Sequence, residues 1–452
     1  MAIPGQPVSP VSPLDREQIA LVEVGQTTVT PAVARALVAW FLAMLALLPL
    51  VEWWGGRGDP AGPGAWSRLA ALPGEMSARV EALGADPDAW AVTVAANRAA
   101  LAAFAAFERA LEDDSPVGRL LRPWTQAALS GWLGAGNERV YVGRDRWLYY
   151  RPDVELVTGP GFLDARRMAR RRADAAEFET PPAPDPRPAI LRFQRDLAAR
   201  GIALVLVPTP VKPTVHPERL AGSGDVTAPV QNVSFAALMA DLAREGVLVF
   251  DPAPMLAEAA RAGTPQYLAT DTHWRPEAMT RVAAALAAFL RNRVPLADAP
   301  AARYASQPRE ARHTGDIVAM MDLPPGQTLF PPERVELRFV VDAEGDPFRP
   351  VRGADVLVLG DSFSNIYALP TMGWGASAGF VEQLAFELQR PVDRLVQNDQ
   401  AAFATRAALA RDLALDADRL RATRVVVWQF ATRELAFGDW RVVPLEAAAS
   451  PR

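Results

Sequence analysis

Two apolar patterns divide the chain. From Ala36 to Val51 it reads ALVAWFLAMLALLPLV without a charge, whereas beyond Ile190 short Val/Ile/Leu runs alternate with amphipathic stretches. The first run, about sixteen residues at ~1.5 Å each, gives ~24 Å, short of a hydrocarbon core of roughly 30 Å. Counted from Ala32, with Arg35 reaching back to the headgroups, it lengthens to about twenty residues. Trp40, Trp53 and Trp54 stand where interfacial anchors belong. A single transmembrane helix is expected over 32–54, a buried core helix being the alternative. A signal peptide is not expected, because the positive n-region is missing and the apolar run comes late. Residues 1–31, with Pro4, Pro7, Pro10 and Pro13, read as a tail. Gly and Pro over 55–64 read as a linker. Helices at 66–83, 90–112 and 117–133, broken near Pro73, Pro87 and Pro116, complete a juxtamembrane region over 55–134.

The second pattern begins with a hairpin. Val140-Tyr141-Val142, Gly143 and Leu148-Tyr149-Tyr150 read as strand, turn and strand. Its aromatic residues are core or sheet positions, or else the wall of a carbohydrate cleft. Then come helix 188–200, strand 202–207 ended by Pro208, helix 232–244, strand 247–250 and a helix after Asp251-Pro252. Helix 277–292 starts at Pro276, which suits a first turn. Strand 354–359, helices 377–389 and 401–412, and strand 424–429 follow. Such alternation predicts an α/β domain of three layers with a mostly parallel central sheet over 135–445. A tail is expected over 446–452.

Composition changes this picture little. Half of the 452 residues are apolar, which excludes wholesale disorder, and the net charge is -5. Arg and Lys do not gather in one tract that would suit a nucleic acid, although an acidic chain can still hold a locally basic cleft for an anionic sugar. Cysteine is absent and only three histidines occur, so disulfides, cysteine metal sites and a zinc centre are not expected. No cofactor is called for.

The chemistry concentrates in two segments. Val356-Leu357-Val358-Leu359-Gly360-Asp361-Ser362 carries a buried strand into a tight turn and leaves a hydroxyl at the carboxyl edge, where α/β sheets bind ligands. A serine needs a base and an orienting acid to act as nucleophile. Thr270-Asp271-Thr272-His273-Trp274 supplies both, since side chains two apart can share one side of an extended or turned segment. Ser362 is therefore the candidate nucleophile, His273 its general base and Asp271 the group that orients His273. Asn365 is a candidate oxyanion donor beside the Ser362 amide. Arg275, Thr314, Asp316, Lys212 and Tyr149 are candidate substrate contacts. His216, in a proline-rich loop, reads as a structural histidine.

These segments resemble the alginate O-acetyltransferase group of SGNH-hydrolase-like proteins, which comprises AlgJ, AlgV and AlgX. The resemblance rests on Asp271-Thr272-His273-Trp274 and Gly360-Asp361-Ser362-Phe363-Ser364. It extends to Glu23-Val24-Gly25, the Val142–Tyr150 hairpin, Thr314-Gly315-Asp316, Trp428-Gln429-Phe430 and Phe437-Gly438-Asp439-Trp440. At Arg146 the group would carry glycine. The resemblance implies an SGNH-like fold with permuted motif order, the Asp-His block preceding the serine block. It implies a membrane-anchored, AlgJ-like protein of the bacterial inner membrane with its catalytic body in the periplasm. The implied reaction is acetyl transfer to hydroxyls of an exopolysaccharide, with acetyl supplied by an AlgI-like membrane-bound O-acyltransferase partner. A polysaccharide deacetylase or esterase, and a non-catalytic glycan-binding scaffold subunit of an export complex, are the alternatives.

Overall fold

The computed structural model describes residues 30–445 apart from 56–64, 85–87, 114, 174–179, 223–227, 297 and 299–300. The expected tails lie almost wholly outside these residues, as does Pro87. Two compact units divide the chain, 1–122 and 123–452.

The first unit holds α1 (Pro31–Gly55), α2 (Ala65–Glu81) and α3 (Ala89–Asp113). Pro73 lies inside α2 rather than at a break, because one missing main-chain donor does not stop a helix whose flanking turns continue. α1 leaves Leu37, Val38, Trp40, Phe41, Leu42, Leu45, Leu47 and Leu50 exposed, the pattern of a helix that faces lipid. By length and composition, however, the helix among the described residues that is long and apolar enough to cross a membrane is Ala89–Arg109, with a mean hydropathy of 1.4. The apolar stretch of α1 is the shorter Pro31–Leu47. The Ala-rich sequence of α3, which the pattern assigns to the juxtamembrane region, passes that test although it contains Arg98 and buries Ala99 and Ala103.

α4 (Pro116–Leu133) leads into the hairpin of β1 (Val140–Val142) and β2 (Leu148–Tyr150). In its turn Asp145 and Arg146 adopt φ of 52° and 64°, the left-handed region that a glycine would enter without strain. α5 (Arg151–Thr158) and α6 (Ala165–Ala173) follow. The α/β body comprises α7 (Pro186–Ala198), β3 (Ala203–Thr209), α8 (Phe235–Arg244), β4 (Leu248–Val249), α9 (Ala253–Arg261) and α10 (Pro276–Arg293). Two long strands, β5 (Ala305–His313) and β6 (Glu333–Val341), pair antiparallel beside it. β7 (Val356–Gly360), α11 (Phe380–Leu388), β8 (Val392–Val396), α12 (Ala401–Leu415) and β9 (Val425–Ala431) complete it.

The central sheet has the order β4-β3-β9-β7-β8 and is parallel throughout. Period-two alternation explains its two cores. Val205, Val207, Val356, Val358, Val425 and Val427 pack on α10 and α11. Leu204, Leu206, Leu357, Leu359, Val426 and Trp428 face the other way, onto α7, α8 and α12. The expected three-layer architecture is thus present.

Four details differ from the sequence pattern. Pro208 does not end β3, which continues to Thr209. Phe250 N–H donates to Leu206 O, so positions 206 and 208 turn toward β4, whose pairing has stopped before Pro208 would need a donor. β5 has no apolar alternation, and only β6 buries a stripe of Val335, Leu337 and Phe339. β8 hides behind Asp393 and Arg394, charges it holds through Arg419 and Glu382. α6 is almost all arginine and alanine and buries no side chain.

Candidate active site

Every strand end that matters here is a carboxyl end. β7 stops at Gly360, and Asp361 caps the one-turn helix Ser362–Asn365 by accepting Phe363 N–H at 2.9 Å. Asp361 also accepts Ala431 N–H at 2.6 Å and the Gln429 amide at 2.8 Å. The carbonyl end of Gln429 takes Asp361 N–H at 3.1 Å and the Ser364 hydroxyl at 2.7 Å. Asp361 is therefore committed to the turn. Gly360 admits this packing, since a Cβ there would lie 2.5 Å from Ser364 Oγ. The result fixes the position of Ser362, whose own N–H has no acceptor among the described residues.

The Asp-His segment is a loop closed by a Tyr267–Trp274 bridge. Trp274 anchors it through its indole N–H to Phe363 O at 3.1 Å, and Tyr367 donates to Trp274 O at 2.6 Å. Glu333, at the start of β6, accepts Ala269 N–H at 3.1 Å and Thr270 N–H at 2.9 Å. Within the loop, Asp271 Oδ1 accepts the His273 ring N–H at 2.7 Å and the His273 main-chain N–H at 3.1 Å. Its Oδ2 accepts the Trp374 indole N–H at 3.0 Å and Asp316 N–H at 3.2 Å. A carboxylate only accepts, so Nδ1 carries the proton and Nε2 offers its lone pair. Ser362 Oγ lies 2.8 Å from that Nε2. Burial alone would raise the Asp271 carboxyl, but the hydrogen bond and charge of His273, with the Trp374 indole, hold it well below the usual range. Burial pulls His273 down, yet Asp271 outweighs it and the imidazole is raised.

A second carboxylate borders the same ring. Asp316 accepts Thr272 N–H and the Thr272 hydroxyl, both at 2.7 Å, and lies 3.8 Å from His273 Nδ1. Gly315 lets this turn approach, since a Cβ there would stand 2.2 Å from Thr270 O. Burial and the neighbouring Asp271 charge raise Asp316 to about 6, against the pull of His273. Asp271, His273 and Asp316 offer ligand atoms within 4.8 Å of one another, close enough for a cation. Both His273 nitrogens are already engaged, one donating to Asp271 and one facing Ser362, which leaves the imidazole no free lone pair.

Ser362, His273, Thr272 and Asp316 open onto a cleft of about 960 Å³. Asn398 after β8 and Arg433 after β9 line it too, as do Arg171, Glu434 and Tyr150. Arg433 is bound through one nitrogen to the buried Asp153 at 2.9 Å, and Asp153 and Asp361 hold its guanidinium firmly charged despite burial. Burial and the Asp361 charge push Glu434 up to about 7.

The remaining candidates take other places. Tyr149 is fully buried and donates to His216 O at 2.6 Å, because its hairpin packs over the loop after β3 rather than into the cleft. Lys212 is buried there as well, capping Leu148 O at 2.8 Å and Ala269 O at 3.2 Å, and burial lowers it to about 8. Arg275 lies against Glu277 and Glu333 outside the cleft lining. Thr314 is half-buried and likewise outside it. Asn365 donates its amide to Asn398 at 2.8 Å, so that amide points away from an oxyanion at Ser362. His216 is structural, bonded to Glu218 at 3.0 Å and accepting Gln266 N–H at 2.9 Å. Sequence reasoning passed over Trp374 and Arg433, which no local pattern marks. Gln429, a lone polar residue in an otherwise apolar strand, carried a readable signal.

Residues 140–432, more than half of the chain, match the family described as the SGNH hydrolase-like domain of acetyltransferase AlgX. The chain is 28% identical over 277 residues to the probable alginate O-acetylase AlgJ of Pseudomonas aeruginosa. That match covers 60% of this chain and 64% of the relative, so it spans slightly under two thirds of the relative's length. To the probable alginate O-acetylase AlgJ of Pseudomonas syringae pv. tomato it is 23% identical over 337 residues, 73% of this chain and 78% of the relative. Among solved structures, the O-acetyltransferase domain of Pseudomonas putida AlgJ aligns at 22% identity with a TM-score of 0.49, covering 66% of this chain and 93% of that one.

Proposed function

This chain belongs to the family of SGNH hydrolase-like domains of the acetyltransferase AlgX type, and on that premise we propose that it transfers acetyl groups to hydroxyls of a bacterial exopolysaccharide. The observation that carries the reading is one continuous hydrogen-bond path at the edge of an open cleft. It runs from Ser362 Oγ to His273 Nε2 at 2.8 Å and from His273 Nδ1 to Asp271 at 2.7 Å.

In this account His273 Nε2 takes the Ser362 proton as Oγ attacks the carbonyl carbon of an acetyl donor. The carbonyl oxygen becomes an oxyanion, for which the Ser362 N–H, without an acceptor among the described residues, is the candidate donor. The imidazolium, stabilised by Asp271, returns its proton to the leaving group and an acetyl-Ser362 remains. A sugar hydroxyl then loses its proton to His273 and attacks the acetyl-enzyme, releasing the acetyl ester and restoring the serine. Asp271 and His273 precede Ser362 in the chain, a permuted order for an SGNH site. Water entering the open cleft would end the same cycle as hydrolysis, so an esterase is the competing reading.

The proposal places a single-pass anchor at 32–54 in the inner membrane and the 135–445 body in the periplasm. The tail 1–31, the region 55–134 and the tail 446–452 complete that division. An AlgI-like membrane-bound O-acyltransferase supplies the acetyl group. The test is to incubate the detergent-solubilised full chain with an acetyl-ester donor and candidate oligosaccharides, following free acetate and acetylated sugar by mass spectrometry. Acetylated sugar that depends on Ser362 is the expected result. Acetate alone would favour the esterase, and equal turnover by Ser362→Ala would remove the serine from the chemistry.

A further inference from the structure

α4 (Pro116–Leu133) carries its polarity reversed. On the face that meets the body, the Gln126 amide donates to Ser130 Oγ at 2.9 Å and to Gly136 O at 3.2 Å, and Ser130 donates to Ala135 O at 2.9 Å. Both side chains are buried. Gly131 sits against Leu329, where a Cβ would lie 3.3 Å from a Leu329 methyl. Asn137, just past the helix, donates to Met320 O at 2.8 Å, and Met320 lines the cleft that holds Ser362. The last turns of α4 are therefore fixed to the body through polar groups.

The apolar residues take the outside. Trp124 and Trp132 stand two helical turns apart on one side and are 64% and 85% exposed. Leu133 is 74% exposed, and Leu120, Leu121 and Leu129 are exposed as well. A helix that faces water buries its apolar stripe and shows its polar one, the reverse of what α4 does. Exposed apolar residues scattered singly call for no explanation, but six large ones on one helix mark a surface that meets something other than water. α4 has no acidic residue, and its charges, Arg119 and Arg122, are exposed.

We propose that the Trp124/Trp132 face of α4 lies in the headgroup boundary of an anionic lipid bilayer, with the helix axis in the membrane plane. Tryptophan suits that boundary, because its ring enters the acyl edge while its N–H keeps a polar partner. Leucine and tryptophan outside, with arginine as the only charged residue, is the composition of a helix that lies on a membrane. Arg119 and Arg122 complement anionic headgroups, and the same charges oppose the pairing of α4 with a second copy of itself. The proposed anchor already confines α4 near a bilayer, so a modest apolar contact is enough to hold it there. Lying in the plane, α4 would keep the cleft at a fixed height above the lipid through the Asn137–Met320 contact. The inference does not rest on the chemistry at Ser362.

The chain has no cysteine, so a single spin label can be placed at will. Leu121→Cys, Ala128→Cys and, as the water-facing reference, Glu138→Cys are made in the full chain, which is reconstituted in vesicles of phosphatidylethanolamine and phosphatidylglycerol and recovered by flotation. Collisions of each label with oxygen, which concentrates in lipid, and with a water-soluble nickel chelate are then measured. The ratio of oxygen to nickel collisions should be several-fold higher at 121 and 128 than at 138. Trp124→Gln combined with Trp132→Gln should bring the label at 128 down toward the value at 138, whereas Trp124→Phe with Trp132→Phe should keep most of the difference. An unchanged melting temperature in both variants excludes a folding defect. Nickel reaching 128 as readily as 138 overturns the proposal, as does a chain that fails to float with the vesicles. Exclusion of both colliders from 121 and 128 would overturn it too by assigning the face to a protein, and dipolar broadening between labels would identify that protein as a second copy.

Discussion

Two loops approach His273 with a carboxylate each, and they treat it oppositely. The 267–274 loop buries Asp271 under four donors, two from His273 and one each from Trp374 and the Asp316 main chain. Among the described residues, the 313–316 turn leaves Asp316 with Thr272 alone as donor and part of its surface in the cleft. The charged form of Asp271 is held, whereas Asp316 is raised to about 6. The contrast teaches that donors and a charged partner can outweigh burial, as they do at Asp271, whereas burial and the Asp271 charge prevail at Asp316. The first accepts the His273 ring N–H, and the second stands on the wall of the cleft.

Asp271→Asn breaks this contrast most severely. An amide can present its N–H to Nδ1 and so hold the wrong tautomer, and turnover should fall on the order of 10⁴-fold, as in serine proteases. Steady-state rates with a small acetyl ester would show it, and retention of full activity would remove Asp271 from the role.

Trp374→Phe keeps the ring that packs edge-on against His313 at 5.5 Å but takes one donor from Asp271. The rate should fall about tenfold, the scale of one lost hydrogen bond to a charged group. The acid limb of the pH profile should move up, because an Asp271 carboxylate short of one donor holds the His273 proton more tightly. An unmoved limb would make Trp374 a packing residue only.

Asp316→Asn is the mildest change, a few-fold in rate by comparison with a lost exposed charge contact. Its signature lies in pH. An acid whose folded pKa is raised destabilises the fold once ionised. The Asp316 cost is therefore absent below an ordinary aspartate pKa of about 4 and full above about 6. The variant should melt higher than the parent above pH 6 and level with it near pH 4. A scan showing the gain at low pH instead would reverse the assignment.

Legibility in the sequence followed distance along the chain. The Val356–Leu359 run, the Gly-Asp-Ser turn and the Asp271/His273 spacing are local, and the structure brings Ser362, His273 and Asp271 together from them. What the pattern left out arrives by long-range packing. Trp374 meets Asp271 across 103 positions, and Gln429 meets Asp361 across 68. Lys212 and Tyr149 misled for a related reason. A loop after a strand's carboxyl end ordinarily faces the ligand, but here the β1–β2 hairpin covers it and turns both side chains inward. The β5–β6 pair escaped because β5 exposes most of its side chains and buries none. The membrane assignment illustrates the converse case: among the described residues length and composition pass α3, while the apolar run of α1 falls short.

The central claim is that Ser362 carries the acetyl group, and the most direct measurement is to catch it there. The full chain is mixed with an activated acetyl ester, quenched in acid within the first turnover and digested, and the peptide containing Ser362 is weighed and fragmented. The account predicts one acetyl on Ser362, absent from Ser362→Ala and from His273→Ala under the same conditions. Acetyl on another residue, or none on Ser362 while turnover proceeds, would contradict it.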